Sequence, residues 1–269
     1  MAILIVAICL PRVGTALDLE QFQTQFPEYG LVDGPDGRYL TRQSGKWGKG
    51  SKQQIWFYPD GQQAAVVPAW ASPEADESDF YYSAALSKAC FVSNRDTPAA
   101  AHHGDIWCLD WTDQGWSEPR RLPDPLNSAA EEYSPVLAAN GDLYFASDRP
   151  GGLGMGDLYV ATRDKSSWRV TNLGDQVNTE GGEWNLELSP DGKQLIFEAS
   201  HRASNISVAG DLYLSELRDG EWSKGRSLNK LNSRGSDLML RFLASGEIVY
   251  AQSQEGDVTL LQVTPQDLR

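Results

Sequence analysis

A chain of 269 residues that is 41% hydrophobic and 22% charged has enough apolar sequence to bury a sizeable core, which excludes a disordered polymer. Its 37 acidic against 23 basic residues give a net charge of −14, a surface that repels phosphate backbones and excludes nucleic acid as a partner. With 9 Trp, 10 Tyr, 8 Phe, 25 Gly and 14 Pro, the composition favours many short strands joined by tight turns over long helices or a coiled coil.

The chain begins with AILIVAICL at residues 2–10, an apolar run too short to cross a bilayer, followed by Pro11, Arg12 and the small residues Gly14, Thr15 and Ala16. This pattern predicts a secretory signal peptide over residues 1–16, leaving residues 17–269 as a periplasmic or secreted domain with no transmembrane span. The competing reading is a buried first strand. Cleavage removes Cys9 and leaves Cys90 and Cys108, whose spacing on neighbouring strands allows either a disulfide or two buried thiols.

Beyond the leader, one unit of roughly 50 residues recurs five times. Its clearest marker is GDIW at residues 104–107, repeated as GDLY at 156–159 and 210–213, with weaker copies at Gln54 to Trp56 and Gly256 to Val258. A second marker, an acidic residue before a large apolar one, falls at Glu28-Tyr29, Asp79-Phe80, Glu132-Tyr133, Glu183-Trp184 and Asp237-Leu238. A third precedes most of these acids: Asn127-Ser128, Asn178-Thr179 and Asn232-Ser233, with Gln23-Thr24 as the first counterpart.

Within the third copy the strand signals are YSPVL from Tyr133, a turn at Asn140-Gly141, LYFAS from Leu143, DLYVAT from Asp157 and a strand starting near Trp168. That predicts four strands per unit and an all-β chain of five blades. The fifth copy stops after VTLLQV at residues 258–263, so its fourth strand is expected from the N-terminus, where LEQFQT at residues 19–24 matches LNKLNS at 228–233. A sixth blade made of unrecognised segments is the alternative.

The stretches SPVLAANGDLYFASDRPGGLGMGDLY from Ser134 and LSPDGKQLIFEASHRASNISVAGDLY from Leu188 resemble the WD-like, Pro-Asp-type propeller repeats of the TolB family. The resemblance covers nearly the whole chain after the leader and implies a rigid propeller ring of the kind that often serves as a docking platform in the cell envelope. It does not fix a function, since such folds host unrelated chemistries.

Five acids, Glu28, Asp79, Glu132, Glu183 and Asp237, are expected at the start of each innermost strand, forming an acidic ring at one end of the channel. Such a ring suits a cationic side chain of a partner or a calcium ion, unless each acid caps its own turn. Arg95, Arg149 and Arg202 are expected to pair with Asp105, Asp157 and Asp211 across a strand-to-strand loop. GGLGMG at residues 151–156 precedes a strand and fits no nucleotide motif, so it is a connecting loop. Trp116, Trp168 and Trp222 recur with the repeat and are expected to pack between blades.

His102 and His103 have no partners at metal-ligand spacing, and no G-x-S-x-G elbow is present. The favoured function is therefore a non-catalytic module binding a protein or envelope component, without a required cofactor. The alternative is a carbohydrate-active enzyme, a glycoside hydrolase or lyase, with Glu132 and Glu183 as first suspects.

Overall fold

The computed structural model describes residues 17–46, 52–62, 64–96, 104–164 and 167–269. The leader and the His102-His103 pair lie outside these residues. Five small antiparallel sheets form a five-bladed β-propeller, as the repeats predict. Blade I holds β1 (Glu28–Asp33), β2 (Gly37–Gln43) and β3 (Gln53–Pro59). Blade II holds β4 (Glu77–Ser83), β5 (Lys88–Ser93) and β6 (Asp105–Thr112), edged by β7 (Gly115–Trp116) and β8 (Arg120–Arg121). Blade III is β9 (Glu132–Leu137), β10 (Leu143–Ser147), β11 (Asp157–Asp164) and β12 (Ser167–Asn172). Blade IV is β13 (Gly182–Leu188), β14 (Gln194–Ser200) and β15 (Asp211–Arg218), edged by β16 (Glu221–Trp222) and β17 (Arg226–Ser227). Blade V is β18 (Ser236–Phe242), β19 (Ile248–Gln254) and β20 (Asp257–Val263).

The core is divided into five apolar clusters, one at each junction between neighbouring blades. Phe145 and Ile106 lie together between blades II and III, and Phe197 and Leu158 between blades III and IV. The cluster that joins blade V to blade I contains Leu260, Met239, Leu31 and Tyr58, so the ring is closed by packing. Burying these side chains on both faces of every blade stabilises the ring by about 1.5–3 kcal/mol for each large residue. Trp116 and Trp222 lie at such junctions: Trp116 Nε1 donates to Tyr39 Oη at 2.8 Å, and Trp222 meets the edge of Tyr144.

The N-terminal segment seals the ring in a form the sequence did not suggest. Glu20–Phe22 is a single 3-10 turn instead of a strand, with Phe22 buried in the cluster between blades V and I. Gln23 Oε1 accepts the Leu260 N–H of β20 at 3.3 Å. That contact copies the internal blades, where Asn127, Asn178 and Asn232 each accept from, and donate to, the main chain of Ile106, Leu158 and Leu212. The recurring Asn is thus a clamp that fastens each linker to the third strand of the blade before it.

The glycine of GDLY has a related role. Gly104 O accepts the Glu132 N–H, Gly156 O the Glu183 N–H and Gly210 O the Asp237 N–H, which joins blade II to III, III to IV and IV to V. A Cβ on Gly156 would stand 2.4 Å from Trp184 Nε1, so only glycine allows this approach. Cys90 and Cys108 face each other on β5 and β6 and are joined by a disulfide.

Candidate functional site

Four of the five expected acids are tied to their own surroundings. Glu28 accepts from Thr24 N–H and Oγ1 and pairs with Arg42. Glu132 accepts Ser128 N–H at 3.0 Å, Ser128 Oγ at 2.6 Å, Ser147 Oγ at 3.0 Å and Arg149 at 3.0 Å. Glu183 repeats this with Thr179 N–H and Oγ1 and with Arg202 at 2.8 Å. Asp237 takes Ser233 N–H at 2.6 Å and Gln252 Nε2 at 2.8 Å. All four are buried and hold the linker from the preceding blade against the first turn of the inner strand.

In blade II this position belongs to Glu77 and not to Asp79. Glu77 accepts from Ser72 N–H, Ser93 Oγ and Arg95 Nε, the same set of donors. The sequence Glu77-Ser78-Asp79 offers two acids two residues apart, and Glu77 holds the position equivalent to Glu132 and Glu183. The arginine expectation also needs correction. Arg95, Arg149 and Arg202 pair with Glu77, Glu132 and Glu183 on the inner strands. Asp157 instead accepts the Leu153 and Gly154 N–H groups of the glycine-rich loop, Asp211 accepts those of Ile206 and Ser207, and Asp105 pairs with Arg121.

Each arginine does more than neutralise a carboxylate. The Arg149 guanidinium lies 5.0 Å and 5.1 Å from the ring centroids of Phe145 and Tyr159 and donates to Pro125 O and Leu126 O. Arg202 covers Phe197 and Tyr213 and reaches Val177 O in the same way. One side chain therefore joins the inner strand, the linker and the aromatic pair of its blade.

Two residues beyond the capping acid, every inner strand bulges into a left-handed residue: Gly30, Asp79, Ser134, Asn185 and Met239, with φ between 48° and 65°. The pairing register shifts at this point in all five blades. These residues meet around the axis. Ser134 N–H donates to Asp79 Oδ2 at 2.8 Å, Ser134 Oγ lies 3.1 Å from both Asp79 Oδ2 and Asn185 Oδ1, and Asn185 Nδ2 donates to Glu198. Asp79 N–H donates to Thr41 Oγ1 of blade I at 3.2 Å. Asp79 is thus the one expected site acid on the axis.

Below this layer Arg241 of blade V and Glu187 of blade IV form a buried pair at 3.3 Å, with Arg241 also donating to Leu186 O, Leu240 O and Met239 Sδ. Burial raises the Asp79 carboxyl, opposed by the hydrogen bonds from Ser134 and the charge of Arg241. It also raises Glu187, despite Arg241, and pushes Glu198 up to about 8, against the hydrogen bond from Asn185. Ser134 Oγ thus lies between two acceptors, Asp79 Oδ2 and Asn185 Oδ1, and donates to one of them at a time. Ser134, Asn185, Glu187, Glu198 and Arg241 were missed in the sequence. Glu187 and Arg241 had a readable signal, since each is a charged residue in mid-strand where Val32 and Val136 stand in blades I and III.

Against this layer opens a cavity of about 660 Å³, lined by Asp79, Asn185 and Met239 of the layer and by Tyr29, Tyr133, Asp76 and Glu131. Lys52 is its basic lining residue. Among the described residues no three His, Cys, Asp or Glu side chains are placed to share a metal ion, and no helix is long and apolar enough to cross a membrane.

These features define a five-bladed propeller with a hydrogen-bonded polar axis and one open, largely acidic mouth. No family model matches the sequence, and no curated protein is similar to it by sequence. Among solved structures, the chain is similar to TolB from Acinetobacter baumannii, at 15% identity and a TM-score of 0.57, over 92% of this chain and 54% of that one. It is similar to a putative TolB from Agrobacterium tumefaciens, at 17% identity and a TM-score of 0.58, over 92% and 80% of the two chains. A protein of unknown function from Dyadobacter fermentans follows at 11% identity and 0.51, over 91% and 80%. At these identities the likeness is one of fold, and this chain spans about half the length of the Acinetobacter TolB.

Proposed function

We propose that this chain is an exported, non-catalytic binding module of the cell envelope that holds a protein or envelope component at the mouth of its propeller. The carrying observation is the cavity of about 660 Å³ against the axial layer, the place where polar and aromatic side chains from several blades converge on one opening. The leader-like N-terminus, the Cys90–Cys108 disulfide and the TolB-like fold support an oxidising envelope compartment.

The glycosidase reading is less well supported, because Glu132 and Glu183 have matching donors in matching positions, whereas acid and nucleophile need unlike surroundings. A calcium ion held by the ring of five acids is also less well supported, since Glu28, Glu132 and Glu183 are each paired with an arginine of the chain itself. Millimolar calcium is expected to leave the melting temperature unchanged, and a rise that grows with calcium concentration would restore an ion to the account. The reading itself is tested by Asn185→Trp, which fills the mouth. Pull-down from envelope extract with wild-type protein should recover a partner that the folded variant loses; an identical set from both would place binding elsewhere.

A further inference from the structure

Four of the seven large apolar side chains exposed among the described residues stand on two loops. Leu153 and Met155 are 45% and 52% exposed, and Ile206 and Val208 are 49% and 86% exposed. The loops are equivalent in neighbouring blades, each joining the second strand to the third. Asp157 accepts the N–H groups of Leu153 and Gly154, and Asp211 accepts those of Ile206 and Ser207, so Leu153 corresponds to Ile206 and Met155 to Val208.

Both loops rise at the mouth end of the propeller. The capping acid at the start of β9 faces the end of β10, from which the first loop departs, and blade IV repeats the arrangement. The two described ends of the equivalent blade II loop, Asn94 and Gly104, line the cavity. Met155 N–H donates to Gly181 O, which seats the first loop on the entry to blade IV. Two carboxylate-bound loops therefore hold four apolar side chains in water at fixed positions, an exposure that folding alone does not require.

The surroundings state what suits them. On the part of this face formed by blades II to IV stand the carboxylates of Asp76, Glu131, Asp148 and Glu180, with Lys52 and Arg234 towards blades I and V. With a net charge of −14 besides, the face repels an anionic lipid surface and attracts cations. From this we infer that the partner at the mouth is a polypeptide segment that sets an apolar side chain against Leu153, Met155, Ile206 and Val208 and a lysine or arginine towards the acidic cavity. The inference rests on the binding reading above and names the chemistry of its partner.

The test is selection of a random peptide library displayed on phage against immobilised residues 17–269, with the double variant Leu153→Ser, Ile206→Ser as a second target. Both replaced side chains are exposed, so an unchanged melting curve is the control for folding. The expected result is enrichment of sequences pairing a large apolar residue with Lys or Arg. Synthetic copies of those peptides should bind the double variant at least tenfold more weakly and lose affinity as salt rises. Enrichment of acidic or purely polar peptides, or peptides indifferent to the two substitutions, would overturn this inference while leaving a binding module intact. Failure to enrich any sequence would overturn it as well. So would vesicle co-sedimentation or concentration-dependent dimerisation that the double variant abolishes, since either assigns the loops to lipid or to a second copy.

Discussion

Replacing Glu198 by Gln tests how the axial network holds its protons. Burial raises this carboxyl from 4.5 to about 8. The unfolded chain therefore releases the proton near pH 4.5, while the folded chain keeps it until about pH 8. Across that window the folded state binds more protons, so stability falls as pH rises, by about 1.4 kcal/mol for each pH unit. At pH 7 the wild-type protein has lost on the order of 3 kcal/mol to this group. A glutamine has nearly the same shape, accepts the Asn185 amide through Oε1 and has no proton to lose. Urea unfolding of both proteins between pH 4.5 and 8 should show equal stability in mild acid and a gap that opens towards neutral pH in favour of Glu198→Gln. A gap of constant size, or a variant that is less stable at pH 7, would refute the reasoning.

Other parts of the account predict further outcomes. Arg149→Ala strips the counter-charge from buried Glu132 and uncovers Phe145 and Tyr159, so urea unfolding should show a loss of about 3–5 kcal/mol; Arg149→Lys should recover only part of it, because one ammonium cannot replace the guanidinium fork. Glu77→Gln should cost several-fold more stability than Asp79→Asn, because Glu77 is the ion-paired cap of blade II and the Asp79 carboxyl is raised by burial. Reverse costs in thermal melts would restore the register read from the sequence. Reduction of Cys90–Cys108, or the double Cys→Ser variant, frees a loop of 18 residues and should lower stability by about 3 kcal/mol in denaturant titration.

The architecture was legible because each blade repeats the same backbone problem. An acid must hold the incoming linker, an Asn must clamp it, and a glycine must let the next inner strand approach; these demands recur in sequence as E-Y or E-W, N-S or N-T, and G-D-L-Y. The site was less legible because repetition hides what differs. Asp79 falls at nearly the repeat interval of Glu28, Glu132, Glu183 and Asp237, and only the bulge shows that it and Glu77, two residues before it, face different surroundings. The arginine partners differ from the expected ones because sequence proximity favours the Asp of the third strand, whereas the S-x-R turn carries the guanidinium back over the inner strand. Ser134 and Asn185 gave no signal, being ordinary polar residues until a left-handed backbone turns them towards the axis.

The claim that the mouth face carries the function is tested most directly by site-specific photo-crosslinking in envelope extract. Reactive side chains would be placed at Asn94 and Val208 on the mouth face, and at Asn140 and Asp191 in the hairpin turns of the opposite face. The account predicts a discrete adduct from Asn94 and Val208 and none from the two turns. Adducts from Asn140 and Asp191, with the mouth positions silent, would contradict it.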